Sequence, residues 1–407
     1  MAGRADGSRA AWLLVPWLAS HALYAVAAWL ALCKGARLRL VWILAVGILP
    51  RLLLLPSAPR LSEDAYRYLW DGRLVAEGVN PFLHAPDDPS LARYHDALLG
   101  RLNHADVPTI YPPMAQLLFG ATARTAAEPW AWKALLLLLE AVLVLALLAL
   151  LRARGAPDER LLLYLWCPLP IIESFGSGHV DLAGAALMLF ALALFERRRP
   201  VWAGTVFAAT VLVKYMPLLL LPALLRRRAF AALAAAAVAG GLLYLPFLDA
   251  GSALWTGLTT YLRHWEFNGS VYAVLRPFFA TGAAPRAILA GALALASLAI
   301  GWRARTVTGA ALLLLAAWLV ASPTVYPWYL VPLIALLPLH PNAGVLAFGG
   351  LVALTYVPLA AFKADGTWLL PAWIPWVEYG GWAAVAAAAA WWRYRRTEAC
   401  ATERTPT

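Results

Sequence analysis

Two carboxylates and a guanidinium share one short polar stretch, SEDAYRYLWDGR at residues 62–73, in a chain that is otherwise largely apolar. Read as a helix, it puts Asp64, Arg67 and Asp71 at i, i+3 and i+7 on one face, with Arg67 and Asp71 at ion-pair spacing. Tyr66, Trp70 and Arg73 fall on a neighbouring face. A carboxylate held this way, with Glu63 beside it, has the chemistry to take a proton from a hydroxyl or to hold a cation. A solvated amphipathic helix lying among lipid headgroups has the same pattern.

Further along, ESFGSGHVD at residues 173–181 offers Glu173, His179 and Asp181 at the junction of two apolar segments. These three residues suit the lining of a sugar or phosphate pocket; Asp181 reads equally well as a helix N-cap with His179 its neighbour in the turn. Lys214 sits in VLVKYMPL, inside a long apolar run. A lysine at membrane depth costs about 2.5 to 3.5 kcal/mol unless it snorkels or meets an anion. A lipid-borne phosphate lies at that depth and carries the matching charge.

The segment YLRHWEFNGS, residues 261–270, interleaves Arg263 and His264 with aromatics and is followed by Arg276. That mixture fits sugar stacking and phosphate binding, as well as an interfacial aromatic belt. Its Asn-Gly-Ser glycosylation sequon is too weak a motif to weigh. SPTVYPWY, residues 322–329, brings Tyr326 and Trp328 to a proline-broken connection, as a belt or as the wall of a groove. Glu140, inside an apolar helix, calls for a partner on a neighbouring helix.

The elements that must position these groups are membrane helices. Apolar residues make up 62% of the chain and charged residues 14%, with 20 tryptophans, which excludes an ordinary soluble globule. The net charge of +11 comes from arginines clustered in short connections, where they set topology, so a nucleic-acid partner is excluded. The three cysteines, Cys33, Cys167 and Cys400, show neither a disulfide framework nor metal-ligand spacing. Arg4 and Arg9 precede an apolar run longer than a signal peptide and without a clear cleavage site, so that run is expected to remain as a helix.

Spans of adequate length fall near 11–33, 38–56, 131–152, 160–176, 181–196, 200–225, 229–248, 285–302, 307–321, 326–340, 343–361 and 376–394, with 200–225 readable as two short helices broken near Lys214. This is an all-α polytopic membrane protein with about 12 to 13 crossings. It forms one domain, residues 1–396, with a polar, disordered tail at 397–407. The basic clusters are cytoplasmic by the positive-inside rule, although Arg4 and Arg9 favour the opposite sense. The long first connection, residues 57–130, is then extracytoplasmic, rich in turn formers, with 114–125 a helix lying in it or dipping into the membrane. Most acidic residues gather on that side, away from ATP and nucleotide sugars. Chemistry there needs an activated substrate delivered through or within the membrane.

Taken in order, SEDAYRYLWDGR with GVNPF, TIYPPMAQLLF, ESFGSGHVD, VLVKYMPLLLLP and SPTVYPWYL resemble the GT-C superfamily of integral-membrane glycosyltransferases over nearly the whole chain. The likeness is strongest to bacterial polyprenyl-phosphate-mannose-dependent mannosyltransferases of the glycosyltransferase 87 kind. Two departures stand out: Glu63-Asp64 replaces a frequent pair of aspartates, and Tyr326 replaces a histidine before Pro327-Trp328-Tyr329. The resemblance implies a GT-C bundle with 57–130 as its catalytic loop, in the cell membrane with an extracytoplasmic active site. It implies inverting transfer of a sugar from a polyprenyl-phosphate donor to a glycan or glycolipid acceptor, with Asp64 as general base. Mannose is inherited from the family, since no donor-sugar signature is readable.

Glu63, Arg67, Asp71, Glu173, His179, Asp181, Lys214, Arg263, His264, Arg276, Tyr326 and Trp328 are the candidate substrate-binding residues, with Lys214, Arg263 and Arg276 first in line for the leaving phosphate. No cofactor is required; Asp64, Glu63 and Asp181 have the oxygen chemistry for a divalent metal such as Mg or Mn. Another lipid-linked sugar (glucose, arabinose or aminoarabinose) on the same fold is the nearest alternative. A lipid or solute transporter is the more distant one, disfavoured because the carboxylates crowd into loops and not into mid-membrane.

Overall fold

The computed structural model describes residues 7–35, 37–359, 361–362 and 366–402. Arg4 and residues 403–407 of the tail lie outside them. Among the described residues the chain is helical and strandless, apart from isolated bridges from Phe267 and Asn268 to Thr324. Four helices there are long and apolar enough to cross a membrane, and shorter apolar helices accompany them. The protein is an all-α polytopic membrane protein.

Helices form as expected over α1 (Gly7–Cys33) and α2 (Leu40–Leu54), which carry Pro16 and Pro50 within them, over α5 (Pro129–Ala153), and over Asp181–Glu196, Ala283–Arg303 and Val307–Ala321. Several other expected crossings are broken. Residues 160–176 divide into short turns around Pro168 and Pro170 and end in a π-turn, Ile171–Gly176. Residues 326–340 start as short turns around Pro327 and Pro332. The helix Pro200–Val211 stops short of Lys214, and Phe230–Tyr244 gives way to a 3-10 stretch kinked at Gly251. Proline removes a backbone donor and clashes with the preceding turn, and such breaks survive at membrane depth where protein or a cavity surrounds them. The last helix, Trp373–Thr402, runs on into the segment whose polarity suggested a disordered tail.

The first loop carries α3 (Asp64–Ala76) and α4 (Pro113–Thr125), the latter where a loop helix was expected. The two pack at bare glycine faces: a Cβ on Gly72 would lie 2.4 Å from the Phe119 carbonyl oxygen, and one on Gly120 2.6 Å from Val75. On the other flank, Trp70 and Leu74 form a small core with Leu91 and Tyr94, closed by an Arg73–Asp96 ion pair at 2.6 Å.

Glu140 finds its partner in Arg51, fully buried on α2, at 2.6 Å. Tyr164 donates to the other Glu140 oxygen, and Arg51 also donates to the Gly47 and Leu165 carbonyls. Removing one member of a buried pair strands the other, so Arg51→Leu is expected to cost roughly 3–5 kcal/mol. The check is the thermal unfolding midpoint in detergent, which should fall for Arg51→Leu and largely recover in Arg51→Leu/Glu140→Leu.

Candidate active site

Asp64 opens α3, its backbone N–H donating to Ser62 Oγ at 3.2 Å. One turn on, the side chains separate in role. Arg67 Nε donates to Asp71 at 2.8 Å and Arg67 Nη2 to the Val107 carbonyl, while Gln116 Nε2 bonds both Asp71 and Thr109. The expected Arg67–Asp71 pair therefore clamps α3 to α4 and the loop before it. Asp71 is buried behind the site, whereas Glu63, Asp64 and Arg67 line a chamber of about 490 Å³.

The GHVD turn is built to meet Asp64. The π-turn widens the backbone, a form frequent at functional sites. Gly178 follows at φ +84°, and a Cβ there would press on Ala65 at 3.3 Å. Its carbonyl accepts from Trp132 Nε1 at 2.6 Å, and Lys133 Nζ gathers the Leu54, Ser57 and Gly176 carbonyls beside it. The first turn of α3 thereby closes on His179.

His179 is fully buried, with Nδ1 3.6 Å from Asp64 Oδ2 and Nε2 3.4 Å from Glu173 Oε2. Tyr356 donates to Glu173 from 2.9 and 3.0 Å. The imidazole ends a stack of four rings: it lies on Trp328 at 3.7 Å, Trp328 on Tyr326 at 4.6 Å, and Tyr326 on Phe267 at 4.8 Å. Asp181 is the first residue of its helix and not its cap; Oδ1 accepts from Lys214 Nζ at 2.5 Å. The same ammonium sits 3.9 Å from the centre of the Tyr329 ring. Asp181, Lys214, Tyr326 and Trp328 all line the chamber.

Desolvation raises the Asp64 carboxyl to about 6, the Lys214 charge opposing that rise. The side chain keeps 29% exposure, so the group is both perturbed and reachable.

Arg263, His264 and Arg276 are not brought to the chamber. The helix Thr256–His264 presents Tyr261 to it, and two positions on, near the opposite side of the helix, Arg263 is exposed, as is His264. Arg276 turns to the Phe279 carbonyl and to Glu266. Sequence reasoning passed over Tyr68, Asn103, His104, Tyr111 and Tyr356, all of which line the wall. For Tyr356 a signal existed, a hydroxyl inside an apolar run, and for Tyr68 another, its place one turn after Asp64 on the same helix face; for Asn103, His104 and Tyr111 the turn-rich loop gave none. Among the described residues, no group of three or more His, Cys, Asp or Glu is placed to hold a metal ion.

An all-helical membrane protein that encloses a perturbed carboxylate, a lysine and stacked aromatic rings in one chamber has the parts of a membrane glycosyltransferase. The sequence model of the MptA/B family, alpha-(1->6)-mannopyranosyltransferase, N-terminal domain, matches residues 4–230, more than half of the chain, and the chain belongs to this family. It is a mannosyltransferase of the GT-C type. Comparison with curated proteins yields no match.

Proposed function

We propose that the protein transfers mannose from a polyprenyl-phosphate donor to a glycan or glycolipid acceptor on the extracytoplasmic side, by inverting displacement with Asp64 as general base. The observation that carries this reading is that Asp64 and Lys214 open onto one chamber, close enough for their charges to interact. Asp64 takes the proton of the acceptor hydroxyl as its oxygen attacks the anomeric carbon. The C1–O bond to phosphate breaks on the opposite face, and Lys214 stabilises the departing charge. Inversion that ends in the alpha-(1->6) linkage of the family description requires a beta-linked donor and an acceptor offering its 6-hydroxyl. The aromatic rings Tyr261 and Trp265 supply stacking surfaces for the sugars.

The deciding experiment offers purified protein in lipid a panel of labelled polyprenyl-phosphate sugars, together with nucleotide-linked mannose. Transfer of mannose from the lipid-linked donor alone is expected; transfer from the nucleotide sugar, or of another hexose in preference, defeats the reading. A base must be ionised to act. The rate is therefore expected to be level above the Asp64 titration at about 6 and to fall about tenfold per pH unit below it.

A further inference from the structure

Both ring nitrogens of His179 face carboxylates, and neither makes a hydrogen bond of ordinary length to any described residue. We infer that His179 is the positioning residue of Asp64: its Nδ1–H donates to Asp64 Oδ2, and a Glu173 that retains its proton donates to Nε2, holding the imidazole neutral and in one tautomer.

The burial of Glu173 supports the protonated form. It is fully buried, and among the described residues no lysine or arginine pairs with it. Its partners are the Tyr356 hydroxyl and the imidazole. An ionised carboxylate there would be costly, and two ionised carboxylates flanking an imidazolium would leave an uncompensated negative charge beside the Asp181–Lys214 pair. As an acid, Glu173 gives its one proton to Nε2 and accepts from Tyr356, which satisfies every member. A half-turn of the ring, which would put carbons where the nitrogens now face the carboxylates, has to break its stack on Trp328, and its backbone N–H is tied to the Glu173 carbonyl at 3.0 Å. The 3.6 Å gap to Asp64 is of the kind that shortens when substrate binds. Donation from Nδ1 favours the ionised form of Asp64 and leaves its other oxygen for the acceptor.

The test is the ionisation of Asp64 itself. Carbodiimide couples to carboxyl groups in their protonated form, so labelling of the Asp64 peptide across pH, read by mass spectrometry on the intact protein in lipid, reports its midpoint. Lys214, Asp181, Glu63, Arg60, Arg67 and His104 share the chamber with Asp64, as do six tyrosines, at 68, 111, 261, 326, 329 and 356. All are the same in every variant compared. His179→Phe keeps the ring on Trp328 and removes both nitrogens. It is expected to raise the midpoint by about one pH unit, the loss of one charge-assisted hydrogen bond.

Glu173→Gln, whose amide donates to Nε2 as the acid does, should leave it within about 0.3 unit on the same reasoning. Glu173→Leu, which frees the tautomer, should raise it by less than His179→Phe and reads the idea even where the Phe variant fails to fold. An unmoved midpoint in both His179→Phe and Glu173→Leu, or a Glu173→Gln shift as large as that of His179→Phe, overturns the inference. Its kinetic arm rests on Asp64 being the base: the acidic limb of kcat should move with the label midpoint while the donor KM stays within about twofold. Normal labelling shifts in a protein that transfers no mannose would defeat the proposed function and leave the positioning role standing.

Discussion

Replacing Asp64 with Asn is expected to lower kcat for mannosyl transfer by about 10²- to 10⁴-fold with the fold intact. Asn has the same shape, and the contact that starts α3 is made by the backbone N–H to Ser62, which the substitution leaves in place. No buried cation is orphaned, because Lys214 keeps Asp181. Initial rates with lipid-linked mannose, normalised to folded protein by gel filtration, make the measurement. A variant within a few-fold of the parent would remove Asp64 from the chemistry and send attention to Glu63 on the same wall. Glu63→Gln, by contrast, should change little, since Glu63 lies outside the His179 contact.

The second large effect concerns Lys214. Losing an ammonium that meets a phosphate removes a charge-assisted hydrogen bond, so Lys214→Met is expected to raise the donor KM roughly 10- to 100-fold with a smaller change in kcat. The substitution also leaves Asp181 buried without its cation, which confounds a simple reading. Lys214→Met/Asp181→Asn resolves it: thermal stability should return while donor affinity stays low. If affinity returns along with stability, Lys214 serves Asp181 and no phosphate.

How much of this was legible depends on the distance over which sequence patterns act. Periodicity within one helix placed Asp64, Arg67 and Asp71 on one face and gave Arg67 its partner. It said nothing of Lys214 meeting Asp181, 33 positions away, or of Tyr356 meeting Glu173 across 183. Glu140 announced the need for a partner without pointing to Arg51, because an arginine near a helix end reads as an interfacial anchor. Hydropathy summed over a window also hid the proline breaks, so 160–176 and 326–340 read as simple spans although they fold into the turns that hold His179 and Trp328. Arg263 and His264 were chosen by type in a helix where Tyr261 alone of those three faces the chamber.

Every charged side chain on the described chamber wall, from Arg60 to Lys214, lies within the residues matched by the family, whereas residues beyond 230 contribute rings, aliphatic groups, a proline and a threonine. The two portions meet where Trp328 and Tyr356 hold His179 and Glu173. A substitution beyond residue 230 can therefore reshape the enclosing rings while leaving the set of charged side chains on the wall as it is.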